Sequence, residues 1–465
     1  MPEPPTFKGT PSLFNMKAWL HVLGHSDADL ARLNVIHVAG TKGKGSTCAF
    51  TASFLKAHGN RTGFPSRVGL YTSPHLKVIQ ERIQINSQPV EKDLFARYVL
   101  EVWSQLDAQE RPKPRYLQLL MLVAVHTFIR ENVDVVICET HNGGEYDATN
   151  IFAHPIATGI TTIGMDHALQ LGPTIENIAW HKSGIFKSGT PAFTVGQGPQ
   201  ISEVLRRRAN EKNVSLEFVD DDTVNNNNVL TMKTAVQRKN ASLAHKLANT
   251  FLVEKEPTLR PMLTLQDIRE GAEGLNWKGR FQQIIQSNHR WFLDGAHNEM
   301  SVVYAAQWFS EVVAKDLRLV ERYRVELTYT DWALRHLGPV PRVVIFSHIS
   351  ERDGAAILRA VAKTLRGTNC SVDHLVISTY EERLDGTSNS ERCMSDKHRP
   401  LDIEIQRQYT QAWREHQPDA KVSVELTVEG ALRLARAADR GTGIQTLITG
   451  SLYLVGSALR LLESA

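Results

Sequence analysis

The stretch "NVIHVAGTKGKGSTCAF" (residues 34–50) decides the fold prediction, because an apolar, β-branched run leads into a glycine-rich turn and then into a helical pattern. Glycines at Gly40, Gly43 and Gly45 allow backbone N–H groups to turn toward an anion, and the start of a helix adds partial positive charge there. The stretch therefore predicts a phosphate-binding loop. The alternative is a plain glycine-rich turn that only starts a helix.

The loop departs from the common phosphate-binding pattern in two places. That pattern has four residues between its two glycines and a Lys followed directly by Ser or Thr. Here two residues separate Gly40 from Gly43, and Gly45 stands between Lys44 and Ser46. Lys44 can still reach the outer phosphates of a nucleotide, and the hydroxyl of Ser46 or Thr47 can approach a metal ion.

Composition bounds the class of protein. The 465 residues are 42% hydrophobic and 22% charged, as in globular proteins, and they predict two or three domains. A net charge of +3 gives no reason to expect nucleic acid as a partner. Four cysteines without CxxC spacing indicate neither disulfides nor zinc, which fits a reducing compartment. No signal peptide is recognisable. The most apolar segment, 116–129, is too short to cross a membrane and predicts a buried helix, so we expect a cytoplasmic location.

Apolar strand patterns alternate with helical patterns along almost the whole chain. Candidate strands are "NVIHVA", "VGLYTS", "VDVVICE", "ATGITTIG" and "PAFTVG", and later "RWFLDGAH", "RVVIFSHI", "HLVIST", "KVSVEL" and "TLITGS". This alternation is typical of α/β domains with parallel sheets. The rhythm breaks near "LNWKGRFQQI", which places a domain boundary at about Lys278 to Gln283. We therefore expect two domains, 1–280 and 281–465, with a ligand in the cleft between them.

Five further motifs follow the glycine-rich loop: "GLYTSPHLKVIQERIQIN", "GGEYDATN", "TTIGMDHALQLGPTIENIAWHKSGIFK", "DGAHN" and "TGSLYLVG". With these motifs in this order, the chain resembles the folylpolyglutamate synthase family of the Mur ligase superfamily, in its fungal branch, from about Met16 to the C-terminus. The resemblance implies a P-loop ATPase-like first domain and a smaller Rossmann-like second domain. It also implies ATP-dependent, magnesium-dependent addition of L-glutamate to a folate carboxylate through an acyl phosphate, with a monovalent cation (K⁺) as a candidate further cofactor.

The resemblance also implies roles for individual residues. It assigns ATP to Arg280, Asp294 and the loop residues Gly40, Thr41, Lys42, Gly43, Lys44, Gly45 and Ser46. Ser73, Glu139 and His167 match the family's magnesium ligands, and Lys182 matches a lysine that is carbamylated to support a second magnesium ion. His297 and Ser451 match positions on the glutamate side, and the catalytic set is Lys44, Lys182 and His297. The implied partners are small molecules, and we expect a monomer.

Six of these residues also have a structural interpretation. Ser73 precedes a proline and suits a turn, and a charged residue such as Glu139 at a strand end suits contact with solvent alone. His167 beside Asp166 suits the start of a helix, and Lys182 lies in an amphipathic helical pattern where lysines are usually solvated. Asp294 and His297 suit a strand-to-helix turn.

Two features depart from the family pattern. Relatives carry a small, glycine-rich turn after the metal-binding glutamate, whereas this chain has Thr140, His141 and Asn142. This change is either drift on a loop or a reshaped acceptor pocket. Relatives also carry a longer segment before "NMKAWLHVLG", which contributes to the substrate side of the cleft. Both departures concern recognition of the acid, and they favour, as the first alternative, a paralogue that ligates an amino acid to another carboxylic acid in specialised metabolism. A second alternative is a nucleotide-binding protein without turnover.

Overall fold

The computed structural model describes residues 5, 7–109, 112–221, 223–224, 234–256, 263–326, 340–349, 352–385 and 401–464, without the side chains of 316–326. The chain separates into two compact units. The first unit comprises Met1–His75 and Ile79–Asn276, and the second comprises Leu76–Val78 and Trp277–Ala465. The assignment of separate activities to residues 1–280 and 281–465 stays a prediction.

The first unit is built on an eight-stranded sheet with strand order β4-β3-β2-β5-β1-β6-β7-β8. Its strands are β1 (Ile36–Ala39), β2 (Val68–Tyr71), β3 (Ile83–Ile85), β4 (Gln88–Pro89), β5 (Val135–Glu139), β6 (Ala157–Ile160), β7 (Ala192–Val195) and β8 (Leu216–Val219). Strands β2, β5, β1, β6, β7 and β8 pair in parallel, whereas β3 and β4 pair antiparallel at one edge. The carboxyl ends of the parallel strands therefore meet at one edge of the sheet, where open α/β sheets bind ligands.

Ten helices accompany this sheet in the described part of the first unit. They are α1 (Met16–Val22), α2 (Asp27–Arg32), α3 (Lys44–Thr62), α4 (Lys92–Asp107), α5 (Tyr116–Arg130), α6 (Ala168–Leu171), α7 (Ile175–Lys182), α8 (Pro199–Glu211), α9 (Ala235–Lys255) and α10 (Leu265–Glu273). Short 3-10 turns cover Ile79–Arg82 and Ser183–Ile185. Helix α5, predicted from its apolar run, is buried over most of its length.

The second unit has a six-stranded sheet with order β13-β12-β11-β14-β10-β9, in which only β9 pairs antiparallel among the described strands. Its strands are β9 (Gln282–Gln286), β10 (His289–Leu293), β11 (Arg342–Phe346), β12 (His374–Ser378), β13 (Lys421–Glu425) and β14 (Ile444–Thr449). Its helices are α11 (Glu299–Glu326), α12 (Gly354–Gly367), α13 (Ile403–Arg414), α14 (Val428–Arg436) and α15 (Leu452–Glu463). Lys77 belongs to this unit, where its ammonium pairs with the carboxylate of Glu463.

The predicted fold class is confirmed: both units are α/β with mainly parallel sheets. Every strand predicted from an apolar run is present, although several are shorter than the run. Strands β3, β4, β8 and β9 were not predicted, because they are short or half exposed and lack an apolar run. No helix within the described ranges is long and apolar enough to span a membrane.

Candidate active site

The glycine-rich loop joins β1 to α3, as the sequence predicts. Gly43 precedes the first helical residue with a φ of 91°, a left-handed conformation that favours glycine. A Cβ on Gly43 would collide with the side chain of Asn240, and one on Gly40 would collide with Thr161. Glycine is therefore required at both positions, for backbone conformation at Gly43 and for close packing at both.

Not all backbone N–H groups of the loop are available to an anion. Thr41 and Lys42 both donate their N–H groups to the carbonyl oxygen of Thr162, at 2.9 and 3.1 Å. Lys44, Gly45 and Ser46 occupy the first turn of α3, where an α-helix provides no internal acceptor for the N–H group. A phosphate would therefore meet the first turn of the helix, while residues 41 and 42 hold the loop against the strand.

Three lysines surround this loop. The Lys44 ammonium lies 3.8 Å from a Glu139 carboxylate oxygen, and the Lys42 ammonium lies 3.5 Å from Asp166. Lys182, at the end of α7, donates a 2.7 Å hydrogen bond to the carbonyl oxygen of Gly40. These contacts place three ammonium groups around the glycine-rich turn, two of them paired with carboxylates.

Lys182 is only 2% exposed, so the expectation for an ordinary solvated lysine does not hold. Burial, followed by the charge of Lys44, lowers the pKa of Lys182 to about 7. An amine with this pKa is largely neutral in mildly alkaline solution. Only a neutral amine has the lone pair with which to attack carbon dioxide.

Ser73 and Glu139 meet at the carboxyl ends of the neighbouring strands β2 and β5. The backbone N–H of Ser73 donates a 3.0 Å hydrogen bond to the Glu139 carboxylate, whose other oxygen faces Lys44. His167 precedes α6 with a φ of 53° and lies beside Asp166, with 31% of its side chain exposed. Ser73, Glu139 and Lys44 are thus linked by direct contacts. The contact described for His167 is with Asp166 instead.

The donor atoms at Ser73 and Glu139 fit a magnesium ion, because a hydroxyl and a carboxylate are the oxygen ligands that this ion prefers. The imidazole of His167 suits it less well. Across the described side chains, no three or more His, Cys, Asp or Glu residues are already grouped as metal ligands. The set Ser73, Glu139 and His167 therefore stays a prediction.

A buried polar network includes His141 of the loop that follows Glu139. The Tyr71 hydroxyl and the Nε2 atom of His141 are 2.7 Å apart, and the Nδ1 atom of His141 lies 3.4 Å from the Asp147 carboxylate. Asp147 also accepts hydrogen bonds from the backbone N–H groups of Asn142 and Thr149. Burial raises the pKa of Asp147, but the nearby imidazole and these donors outweigh it and hold that pKa below its usual range.

His141 is thus a buried, hydrogen-bonded side chain in the loop that follows Glu139. The sequence signal was present, since Asp147 lies in the motif "GGEYDATN" and Tyr71 in "GLYTSPHL". The sequence does not show that Tyr71, His141 and Asp147 contact one another, because these contacts depend on the pairing of β2 with β5.

In the second unit, Asp294 and Ser451 follow the carboxyl ends of the neighbouring strands β10 and β14. His297 comes after Asp294 in the same turn, and Arg280 precedes β9. Asp294 accepts hydrogen bonds from the N–H groups of Phe281 and Ala296, both at 2.9 Å. The Nδ1 atom of His297 lies 3.1 Å from the carbonyl oxygen of Gly295. Asp294 therefore shapes the turn after β10, in line with its structural interpretation.

Arg280 and Ser451 also make local contacts. The guanidinium of Arg280 donates to the carbonyl oxygen of Gly279 at 3.0 Å. The hydroxyl of Ser451 accepts a 3.2 Å hydrogen bond from the N–H of Tyr453 and so caps α15. His348, which the sequence did not single out, lies in the same region, with its Nδ1 atom 2.8 Å from the carbonyl oxygen of Gly450.

A mainly parallel sheet whose first strand leads through a glycine-rich turn into a helix defines an α/β protein of the P-loop type, here with a second α/β unit. The chain is 38% identical to the folylpolyglutamate synthase of Neurospora crassa, over 98% of this chain and 86% of that protein. It is 35% identical to a probable folylpolyglutamate synthase of Schizosaccharomyces pombe, over 98% and 88% of the two chains. The chain belongs to the folylpolyglutamate synthase family.

Solved structures share the fold at lower identity. A Mycobacterium tuberculosis folylpolyglutamate synthase complexed with ADP and AMPPCP matches with a TM-score of 0.72 and 23% identity, covering 97% of this chain and 95% of that one. Escherichia coli FolC in complex with DHPP and ADP matches with a TM-score of 0.66 and 23% identity, covering 98% and 99%. A comparison with models of protein families gives no match.

Proposed function

We propose that this chain is an ATP-dependent ligase that adds L-glutamate to the carboxylate of tetrahydrofolate or a folylpolyglutamate. The observation that carries the proposal is the 38% identity with the Neurospora crassa folylpolyglutamate synthase over nearly the whole chain. The buried Lys182 and the half-buried Lys44, which pairs with Glu139 beside the glycine-rich loop, support it, because phosphoryl transfer between anions needs positive charge at the transferring group.

The reaction explains the need for ATP. A carboxylate is a poor acyl donor, because an oxide is a poor leaving group. Transfer of the terminal phosphoryl group of ATP to the acid gives an acyl phosphate, and the amine of glutamate then displaces phosphate to form the amide. The first step brings two anions together, so it depends on charge neutralisation and alignment.

Residues of the first unit would supply both requirements. The first turn of α3 presents backbone N–H groups to the phosphates, and Lys44 neutralises charge that develops on the transferring group. Glu139 holds the Lys44 ammonium at 3.8 Å, close to the carboxyl end of β5. Thr41 and Lys42 fix the loop through their hydrogen bonds to Thr162.

Magnesium would be held by Ser73, Glu139 and His167, and when bound it neutralises phosphate charge. Lys182 would carry a carbamate, which replaces a cation with an anion beside the loop. Its burial and lowered pKa favour the neutral amine that carbamylation requires. A monovalent cation such as K⁺ is part of the same proposal.

In the second unit, Arg280 and Asp294 are proposed to contact the nucleotide, and His297 and Ser451 to contact glutamate. Two of these side chains also have structural tasks: Asp294 shapes a turn, and Ser451 caps α15. We further propose a cytoplasmic monomer acting on small molecules in one-carbon metabolism.

The test is a ligation assay with pure, magnesium-replete protein, ATP and glutamate. Tetrahydrofolate is compared with other carboxylic acids, and both phosphate release and product mass are measured. We expect phosphate release that depends on tetrahydrofolate and a product heavier by one glutamyl residue. Turnover with another acid alone would identify the paralogue, and nucleotide binding without turnover would identify the inactive protein.

A further inference from the structure

Arg82 is a buried guanidinium that the proposed reaction does not yet use. It ends the 3-10 turn Ile79–Arg82 directly before β3, and only 1% of its surface is exposed. Its carbonyl oxygen accepts a 3.0 Å hydrogen bond from the N–H of Thr72, the residue before Ser73. Arg82 therefore lies at the same edge of the sheet as Ser73.

The contacts of this guanidinium leave its charge unbalanced. Its Nε atom donates to the Nδ1 atom of His75 at 3.0 Å, and its Cζ atom lies 5.7 Å from the centre of the Tyr116 ring. The Nη1 atom is buried without a hydrogen-bond partner. Within the described part of the chain, no Asp or Glu forms an ion pair with Arg82.

A buried guanidinium without a carboxylate partner is unfavourable unless another anion balances its charge. A buried charge normally has a partner of opposite sign, and a buried donor normally has an acceptor. By contrast, the buried Arg208 of the same unit pairs with both Glu145 and Glu211, at 2.6 and 2.9 Å. The missing partner of Arg82 should therefore be an anion with planar oxygen geometry, for which a guanidinium is suited.

We propose that Arg82 binds the non-reacting carboxylate of the acid substrate, an inference that rests on the proposed function. A glutamyl group carries two carboxylates, of which one is phosphorylated and the other remains free. Holding the free carboxylate places the reacting one and selects acids that end in a glutamyl group. Because Arg82 is covered, the substrate reaches it only when the covering residues move.

The strand order explains why this anion would be the acid and not the nucleotide. From the glycine-rich loop after β1, the sheet continues through β5, with Glu139, and β2, with Ser73, to β3. The backbone of Arg82 therefore lies about three strand spacings, or ~14 Å, from β1, and about one spacing, ~5 Å, from β2, which leads to Ser73. Glu139 and Ser73 lie between Arg82 and the loop in this order, so an acid bound beside Ser73 would be closer to Arg82 than phosphates held at the first turn of α3.

The experiment measures binding without turnover, using full-length protein with magnesium and a non-hydrolysable ATP analogue. Equilibrium dialysis compares tetrahydrofolate with its α-carboxamide, in which only the non-reacting carboxylate is neutral. Wild-type protein is expected to prefer the diacid by roughly tenfold or more, the contribution of a charge-assisted hydrogen bond. In Arg82→Met this preference should disappear, with little change in melting temperature.

Two further variants separate binding from folding. Arg82→Lys keeps the positive charge but loses the two parallel N–H donors of the guanidinium, so it should retain part of the preference for the diacid. This variant tests the inference even if Arg82→Met does not fold. Arg208→Met is the matched control, since it removes a buried arginine that has carboxylate partners. We expect it to lower the melting temperature and leave the preference unchanged.

The outcomes are distinguishable from those of the ligation assay. Failure of ligation with a preference that depends on Arg82 would overturn the proposed function but support this inference. Ligation with an unchanged preference in Arg82→Met would overturn the inference alone. A selective rise of the KM for ATP or for glutamate in that variant would also overturn it, because another anion would then occupy the guanidinium.

Discussion

Lys44 is the residue on which the phosphate chemistry depends most directly. Lys44 is the first residue of α3, and its ammonium lies 3.8 Å from the Glu139 carboxylate. Lys44→Ala removes positive charge that opposes the negative charge of the transferring phosphoryl group, so we expect turnover to fall on the order of a hundredfold or more. Thermal stabilisation by ATP with magnesium should fall as well.

The control for this variant is Lys56→Ala, because Lys56 lies on the same helix and the described contacts give it no ion pair. It should retain both turnover and stabilisation by nucleotide. Nearly normal turnover in Lys44→Ala would mean that the glycine-rich loop does not act on the transferring phosphate.

Lys182 gives a dependence on pH whose sign can be worked out. Its folded pKa of about 7 lies below the ordinary 10.5, so between these values the unfolded chain binds one more proton. The contribution of Lys182 to the free energy of unfolding therefore rises with pH between these two pKa values. Below pH 7 the lysine is charged in both states, and the full cost of burying its charge destabilises the folded protein.

Lys182→Met removes this pH-dependent contribution to the free energy of unfolding. The variant should be more stable than wild type near pH 7, and the difference should shrink as the pH approaches 9, as measured by chemical denaturation at several pH values. Ligation should be lost throughout. A stability difference that stays constant with pH would show that Lys182 titrates normally.

At the residue scale, the sequence identified the positions but not their partners. Lys44, Ser73 and Glu139 were predicted and lie together, because parallel strands end at one edge. Arg82 and the Tyr71–His141–Asp147 network were not predicted, since their contacts join residues far apart in the chain. The burial of Lys182 was also missed, because a helical pattern does not show what covers a side chain.

At the scale of elements, helix α3 begins and ends with glycines of nearly equal conformation. Gly43 has a φ of 91° and Gly63 a φ of 92°. Alanine at either position should lose about 1 kcal/mol in the free energy of unfolding, because both are left-handed. At Gly43 the new Cβ also meets Asn240, whereas nothing lies near Gly63.

Gly43→Ala should therefore destabilise the protein more than Gly63→Ala, and it alone should weaken nucleotide binding. Thermal melting and calorimetric titration with ATP and magnesium measure both effects. Equal losses in the two variants would contradict the packing described at the loop.

The elements themselves were largely predictable. Long apolar runs gave the central strands, and the glycine-rich turn gave the start of α3. Edge strands such as β4 and β9 escaped prediction because they expose at least one face and carry polar residues such as Gln88 and Gln283. Their pairing with a neighbour, not their own sequence, makes them strands.

At the scale of the molecule, alternating strands and helices were sufficient to predict two α/β units. The sequence could not show that Leu76–Val78 belongs with the second unit although it lies within the first in chain order. That grouping depends on contacts such as the ion pair of Lys77 with Glu463, which no local pattern reveals.

The central claim is that a carboxylate attacks ATP and becomes an acyl phosphate. The most direct test uses tetrahydrofolate labelled with ¹⁸O in its reacting carboxylate, with ATP, magnesium and glutamate. Mass spectrometry of the released inorganic phosphate should find one oxygen that comes from the acid. Phosphate without label, formed together with the glutamylated product, would contradict the account.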